Sequence, residues 1–400
     1  MKNLFKTSVV LLGLVLAMLP FRTSAETSWN GWERVSDFGF GRGPDYFETL
    51  PFAHFWHYKD YIVASAVSQT GRAQVYKSSD GKTWETSGQP GFGENNTFIY
   101  TTSEFNGFLY ASTLNETKGS QIWRTWDLVN WEKVADNAFG YGDQSAIFTL
   151  QPFNGALYAG TIAINNSGIG GQIWRSTNGK DGWTRVTSPG NGEPTTYSVT
   201  FTMAVFKDYL YTSFWTEGGG QIYRTADGTN WEWPTGRGID DPANTIIYLG
   251  QELNGELYLG VDRQDLQGGY TSQGRVYKTS DGVHWQRVEL SPNINYQTWV
   301  LWPTLVYNGW LYFSTITQSS GGEIWRYNGS EWQQFVDGGF GDHDSDFVYI
   351  GVEMGGYLYA GTDNNVDGGS IWRRAIEDAS TQNIPTLPET GPATSPAAKK

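Results

Sequence analysis

Apolar and polar positions alternate along this chain in short runs, and the runs follow one another in a fixed succession. Residues 146–186 show one full cycle. AIFTLQPF is an apolar run, Asn154-Gly155 a tight-turn pair, and ALYAGT a second run. After a loop of variable length comes GGQIWRS, then a turn around Asn178-Gly179 and a fourth run, Trp183-Thr184-Arg185-Val186. Two-residue periodicity broken by Asn-Gly turns predicts four consecutive antiparallel strands. Anchored on the second residue of each "LY" pair, the cycle recurs at Val63, Tyr110, Tyr158, Tyr211, Tyr258, Tyr312 and Tyr359, with spacings of 47, 48, 53, 47, 54 and 47 residues. A repeat of roughly 40–50 residues carrying several short strands is the mark of propeller blades. The expected fold is all-β: a seven-bladed β-propeller of four-stranded antiparallel blades over residues 26–375.

The last cycle is incomplete. It supplies YLYAGT (357–362) and GGSIWRR (369–374) and then runs into a different composition. Its missing turn and fourth strand stand at the other end of the chain, in Asn30-Gly31-Trp32-Glu33-Arg34-Val35, which matches Asn328-Gly329 and Trp332–Val336. The N-terminal strand is therefore expected to complete the last blade and remove an open sheet edge.

The turn between the third and fourth strands reads SSDGKTW (78–84), TADGTNW (225–231) and TSDGVHW (279–285). It resembles the Asp-box of bacterial sialidase-type repeats, one residue shorter between Asp and Trp. Two further copies depart from the pattern: Asp127 to Trp131 lacks the Gly, and Asn178 to Trp183 carries an insertion. An Asp that bonds turn amides, a Gly at positive φ and a packed Trp are structural roles. Sialidase members of that superfamily imply an arginine triad, a Tyr/Glu nucleophile pair and an acidic Asp. None of the predicted inner strands (51–57, 98–104, 146–152, 199–205, 246–252, 300–306 and 347–353) contains an arginine. Arg124, Arg175, Arg224, Arg326 and Arg373 instead recur at one blade position, so sialidase activity is not expected.

The ends set the compartment. Lys2 and Lys6, an apolar stretch from Val9 to Leu19, and Thr23-Ser24-Ala25 form a secretory signal pattern over residues 1–25. Its removal lowers the formal net charge from −14 to −17, which argues against nucleic acid as a partner. No later stretch is long and apolar enough for a transmembrane helix. Without cysteine, stability must come from a large core. Residues 376–400 read as a flexible Pro/Thr/Ala-rich tail. Within it Leu387-Pro388-Glu389-Thr390-Gly391 resembles the LPxTG signal that sortases use to join proteins to a Gram-positive cell wall, although the usual hydrophobic segment does not follow. A secreted monomer, covalently linked to the wall through that signal, is expected.

Candidate chemistry is sparse. Glu104, Glu252 and Glu353 share one blade position, which points to turn chemistry, and His54 and His57 fall on opposite faces of a strand. Blade-to-blade loops and second-to-third-strand loops emerge on one face of a propeller. That face is rich in acids and unequal in loop length, which makes it the expected binding face. Its candidate ligand-binding residues are Trp215, Glu217, Asp262, Arg263, Asp265, Tyr270 and Asp363. Asp342, Asp344 and Asp346 alternate as calcium ligands do, so Ca²⁺ is the one cofactor considered. The expected function is non-catalytic recognition of an extracellular glycan or protein through this acidic face. The alternative is a secreted glycoside hydrolase or lyase acting on polysaccharide from a propeller scaffold.

Overall fold

The computed structural model describes residues 27–46, 55–68, 71–115, 117–142, 145–163, 170–188, 192, 200–216, 218–263, 273–317 and 320–376. The chain is a β-propeller. Each "LY" repeat is the second strand of an antiparallel meander, as in Ser145–Phe153, Ala156–Ala163, Ile173–Ser176 and Thr184–Arg185. One meander has three named strands, with an Arg224–Glu232 bridge where its fourth would lie. Two others join into a nine-stranded sheet through pairing of Trp310–Thr317 with Phe347–Met354.

Closure follows the expected route. The N-terminal strand Trp32–Arg34 pairs with Ile371–Ala375 in the register Trp32↔Arg374, Glu33↔Arg373 and Arg34↔Trp372. Trp32 is 1% exposed and packs edge-on against Phe335 and Phe340. Glu33 accepts from Arg373 Nε at 3.1 Å and from Lys82 Nζ at 2.8 Å, so it ties the last meander to the first.

The repeated polar residues form the joints between neighbours. Asp80 Oδ1 accepts the backbone N–H groups of Thr83 and Lys82, which hold its carboxyl well below the usual range. Asp227 does the same with Asn230 and Thr229. The Gly of each such turn lies against the "LY" tyrosine of the preceding meander: a Cβ on Gly81, Gly228 or Gly282 would stand 1.8, 1.7 or 1.8 Å from the hydroxyl of Tyr359, Tyr158 or Tyr211. The same hydroxyls meet the recurring arginines, with Arg124 Nη1 donating to Tyr110 and Arg224 Nη1 to Tyr211, each at 3.4 Å. Arg373 Nη1 also reaches the Asp80 carbonyl at 3.2 Å. These arginines are architectural, as their recurrence implied.

A second joint was not anticipated. Phe38–Gly41, Pro90–Gly93, Asn137–Gly140 and Gly338–Gly341 are tight turns in which three or four consecutive residues take positive φ, among them Phe40, Phe92, Phe139 and Phe340. A non-glycine residue there costs about 1–2 kcal/mol. Each ring meets the third-strand aromatic of the following meander, for example Phe40 on Tyr76 at 3.7 Å and Phe340 on Trp372 at 4.7 Å. Meanwhile the turn backbone bonds the preceding one, as in Gly91 N to Ala73 O and Gly339 N to Gly322 O. Ring stacking and burial on one side and main-chain bonding on the other offset the strain.

Candidate functional site: a channel cavity

The innermost strands surround a cavity of about 600 Å³. Its walls come from the ends of those strands: Thr101–Glu104, Phe148–Pro152, Thr202–Met203, Leu249–Gln251, Trp302–Val306, and Tyr349 with Gly351 and Val352, together with Phe55–His57. Antiparallel pairing sets these segments in register. Trp56, Ser103, Gln151 and Leu305 stand opposite the "LY" anchors Val63, Tyr110, Tyr158 and Tyr312.

Three residues before Ser103, Gln151 and Leu305, and before Gln251 and Val352 on two further inner strands, lies an aromatic: Tyr100, Phe148, Trp302, Tyr248 and Tyr349 are all buried. Tyr100 and Phe148 are 4.2 Å apart, Tyr248 and Trp302 5.3 Å, and Trp302 and Tyr349 5.9 Å. Beyond this layer, Ile99, Ala146, Ile246, Val300 and Phe347 are buried too. Exposure sets in at the other end of the inner strands, where His57, Glu104 and Gln251 are open to solvent. The cavity therefore opens beside the first-to-second-strand turns.

The lining mixes apolar side chains with hydroxyls and amides and carries little charge among the described residues. Thr101, Thr102, Ser103, Thr149, Gln151, Thr202, Gln251 and Thr304 supply hydroxyls and amides, and His57 and Glu104 are the ionisable side chains apart from the buried Tyr349 phenol. Some of these groups already serve the scaffold: Thr202 Oγ1 accepts from Leu249 N at 2.8 Å, and Thr304 shares a hydroxyl bond with Ser314 at 3.0 Å. Thr102 Oγ1 is buried with no protein partner among the described residues.

The residues expected on the acidic loop face are placed differently. Asp262 and Asp363 are 0% and 1% exposed, so they present no charge to an outside ligand. They occupy one repeat position, four residues past the tyrosines Tyr258 and Tyr359, because the second strand runs on to Asp262 rather than ending at the glycine. Burial pushes both carboxyls well above the usual range. Tyr248 donates to Asp262 Oδ2 at 3.3 Å, and Phe347 N donates to Asp363 Oδ1 at 2.7 Å. Arg263 is committed to Asp241 at 2.9 Å, which Arg275 also meets at 2.9 Å. Trp215 is half-buried and packs with Tyr100 and Phe148, so its ring is not a free platform. Glu217, Asp265 and Tyr270 lie outside the described residues, as do residues 1–25 and Leu387 to Gly391.

Asp342, Asp344 and Asp346 do not assemble a cation site. Among the described residues no three His, Asp or Glu side chains are placed to hold a metal. Asp342 instead accepts from Asn364 Nδ2 at 2.8 Å and from the Asp344 N–H at 3.1 Å, which shapes the loop. Glu353 accepts from Gly356 N at 3.1 Å, the turn role expected of it. Glu104, at the equivalent position, lines the cavity.

No protein-family model matches the chain, and no curated protein does. Solved structures do match. A chain from the mitotic checkpoint complex aligns over 91% of this chain and 100% of its own, at 13% identity and a TM-score of 0.53. The polysaccharide lyase Uly1 covers 82% of this chain and 91% of its own, at 9% identity and a TM-score of 0.52. The endosialidase of phage phi92 covers 92% of this chain and 72% of its own, at 12% identity and a TM-score of 0.50. At such identities these likenesses carry the propeller fold alone, a scaffold that hosts unrelated functions.

Proposed function

We propose that this protein engages a polysaccharide, with the channel cavity as its site. The observation that carries the reading is the lining: hydroxyl and amide groups alternate with aromatic and aliphatic side chains around a space of about 600 Å³, within the roughly 300–1,000 Å³ of small-ligand sites. Sugars present many hydroxyls that pair with such groups, and Trp56, half-buried at the same cavity, offers an aromatic face. Cleavage of the polysaccharide, as a glycoside hydrolase or lyase, is the better-supported form of this activity. Glycosidic cleavage needs a proton donor at the leaving oxygen and a second group acting as base or nucleophile. His57 and Glu104 stand at matching positions on neighbouring meanders and line the same cavity. Two of the similar structures, a polysaccharide lyase and an endosialidase, support this by fold-level analogy. Recognition without turnover is the second reading, favoured by the absence of a second carboxylate among the described lining residues.

The test is incubation with a panel of plant, algal and bacterial polysaccharides, followed by assays for new reducing ends and for unsaturated products. Turnover that falls about 100-fold or more in His57→Ala or Glu104→Gln supports cleavage. Binding with no product supports recognition, and neither binding nor product ends the proposal. Export through residues 1–25 and wall linkage through Leu387-Pro388-Glu389-Thr390-Gly391 belong to the same reading. Mass spectrometry of the protein recovered from culture medium and from the wall fraction checks both.

A further inference from the structure

We propose that Trp126 is an outer subsite for the same polysaccharide: a sugar stacks on its ring where the chain leaves the channel cavity past His57 and Glu104. This rests on the polysaccharide reading and extends it beyond the cavity. The third-to-fourth-strand turns share one framework. The residue before the turn Asp or Asn is Ser79, Thr177, Ala226 or Ser280 in four of them and Trp126 in the fifth. Trp126 is 60% exposed, and Val129 in the same turn 58%. The turn holds without either side chain. Asp127 Oδ1 accepts the N–H groups of Val129 and Asn130 at 2.9 and 2.8 Å, while Leu128 and Trp131 supply the packing. A lone exposed ring is ordinary on a protein surface, but this one is anchored beside the cavity mouth.

One hydroxyl gathers the mouth and the ring. Tyr58 follows the cavity residue His57, and its hydroxyl donates to Gly107 O at 2.7 Å, in the turn just past the cavity residue Glu104. The same hydroxyl stands 3.2 Å from Trp126 O. Lys59 Nζ also donates to that carbonyl and lies 5.2 Å from the centroid of the Trp126 ring. In the next three meanders Phe105, Phe153 and Phe206 take the strand position of Tyr58, so the link is particular to this joint. First-to-second-strand and third-to-fourth-strand turns lie at one end of an antiparallel meander, so Trp126 shares the face on which the cavity opens. Lys59 stands two residues past His57, which puts the indole within the reach of one lysine side chain from the mouth. The ammonium beside the ring restrains it, so stacking a ligand there costs little side-chain freedom. The C–H groups on a pyranose face pack on the apolar face of an indole, and Lys59 retains N–H groups for a sugar oxygen.

Isothermal titration with linear gluco-, xylo-, manno-, galacto- and galacturono-oligosaccharides of two to eight sugars tests this. The proteins compared are the wild type, Trp126→Ala, Trp126→Phe and Tyr296→Ala. In the wild type, affinity should keep rising past the length that fills the cavity. Trp126→Ala should remove that gain, about tenfold for the longest oligosaccharides, and leave the shortest ones that bind unchanged. Trp126→Phe should restore most of the gain. Tyr296 is 76% exposed in a loop between meanders, at the opposite end of the strands, so Tyr296→Ala should match the wild type. A length dependence unchanged in Trp126→Ala, or an equal loss for short and long oligosaccharides, would overturn the subsite and leave the polysaccharide reading standing. If no oligosaccharide of any series binds the wild type, the polysaccharide reading falls and the subsite with it.

Discussion

Replacing Val63 by Tyr and Leu128 by Gly together should cost far less than the two changes apart. In four places the "LY" tyrosine of one meander meets the turn glycine of the next. Between the first and second meanders both partners differ: the anchor is Val63 and the turn residue is Leu128, each 1% exposed and in one buried cluster. The turn is otherwise preserved, with Leu128 N bonded to Thr125 Oγ1 at 3.0 Å and Asn130 N to Asp127 Oδ1 at 2.8 Å. Leu128 thus holds φ 57° and fills the space that a tyrosine ring occupies elsewhere. The displaced hydroxyl has moved to Tyr58, which donates to Gly107 O at 2.7 Å; Phe105 and Phe153 stand at that strand position in the next two meanders. Leu128→Gly alone removes a buried side chain, about 2–5 kcal/mol, and relieves about 1–2 kcal/mol of left-handed strain, leaving a net loss of roughly 0–4 kcal/mol. Val63→Tyr alone overpacks the site by about 1–3 kcal/mol. The pair restores the arrangement of the other joints, so a double-mutant cycle in urea should show a favourable coupling of about 2 kcal/mol, near the upper part of the range for contacting residues. Adding Tyr58→Phe should recover more. Additivity to within about 0.5 kcal/mol would refute the exchange.

Trp32→Ala should cost about 3–5 kcal/mol and lower the melting temperature of the whole molecule, because the N-terminal strand closes the ring; unchanged melting would sink that role. Glu323→Gln should stabilise the protein at neutral pH. Burial raises the Glu323 carboxyl above 4.5, so the native state binds its proton more tightly than the unfolded chain does. Stability from this group is then full below the unfolded value and is lost as pH rises through the folded one. Trp325 Nε1 donates to Glu323 at 2.7 Å, and Gln121 and Gln172 accept the same bond from Trp123 and Trp174. Denaturation at pH 4 and pH 8 should therefore show a flatter profile for the variant, and an equal or greater loss of stability toward pH 8 would contradict it. Gly228→Ala, aimed at the Tyr158 hydroxyl, should destabilise by about 1–3 kcal/mol more than Gly255→Ala, which has a similar positive φ but open space around it; equal losses in the two melts would refute the contact.

The fold was legible because its units repeat. The "LY" and "IWR" phrases mark second and third strands, and the N-terminal NGW phrase marks the missing strand of the last unit. The roles of the arginines and of the turn aspartates were legible for the same reason. The Phe-Gly turns at Phe40, Phe92, Phe139 and Phe340 also repeat, yet nothing in local propensity places a phenylalanine at positive φ. The cost is met by a ring partner some 31–36 residues away in sequence. The cavity lies away from the loop face that the sequence pointed to, for a related reason. Loop length and acid content mark where chain is tolerated, whereas a cavity depends on which inner-strand ends stay open. Asp262 and Asp363 looked like loop acids because a strand boundary moves easily by a residue or two, and here that shift carries a carboxyl from the rim into the core.

Where the column of equivalent residues is uniform, as for the turn aspartates or the channel aromatics, a scaffold role explains it. Where one copy departs and its neighbour departs with it, as at Val63 and Leu128, packing still explains it. The ends of the inner strands fit neither case. Trp56, Ser103, Gln151, Gln251, Leu305 and Val352 line one level of the cavity, and His57, Glu104, Pro152 and Val306 the next. These columns change chemistry from one meander to the next, with no matching change in a partner among the described residues. A ring held together by recurring joints has no evident structural need for a His and a Glu on one side, amides at Gln151 and Gln251, and aliphatic walls at Leu305, Val306 and Val352. An asymmetric ligand does have such a need, because it presents different atoms to each side of the channel. For that reason His57, Glu104 and Gln251 are the side chains whose replacement should change function while leaving the melting temperature in place.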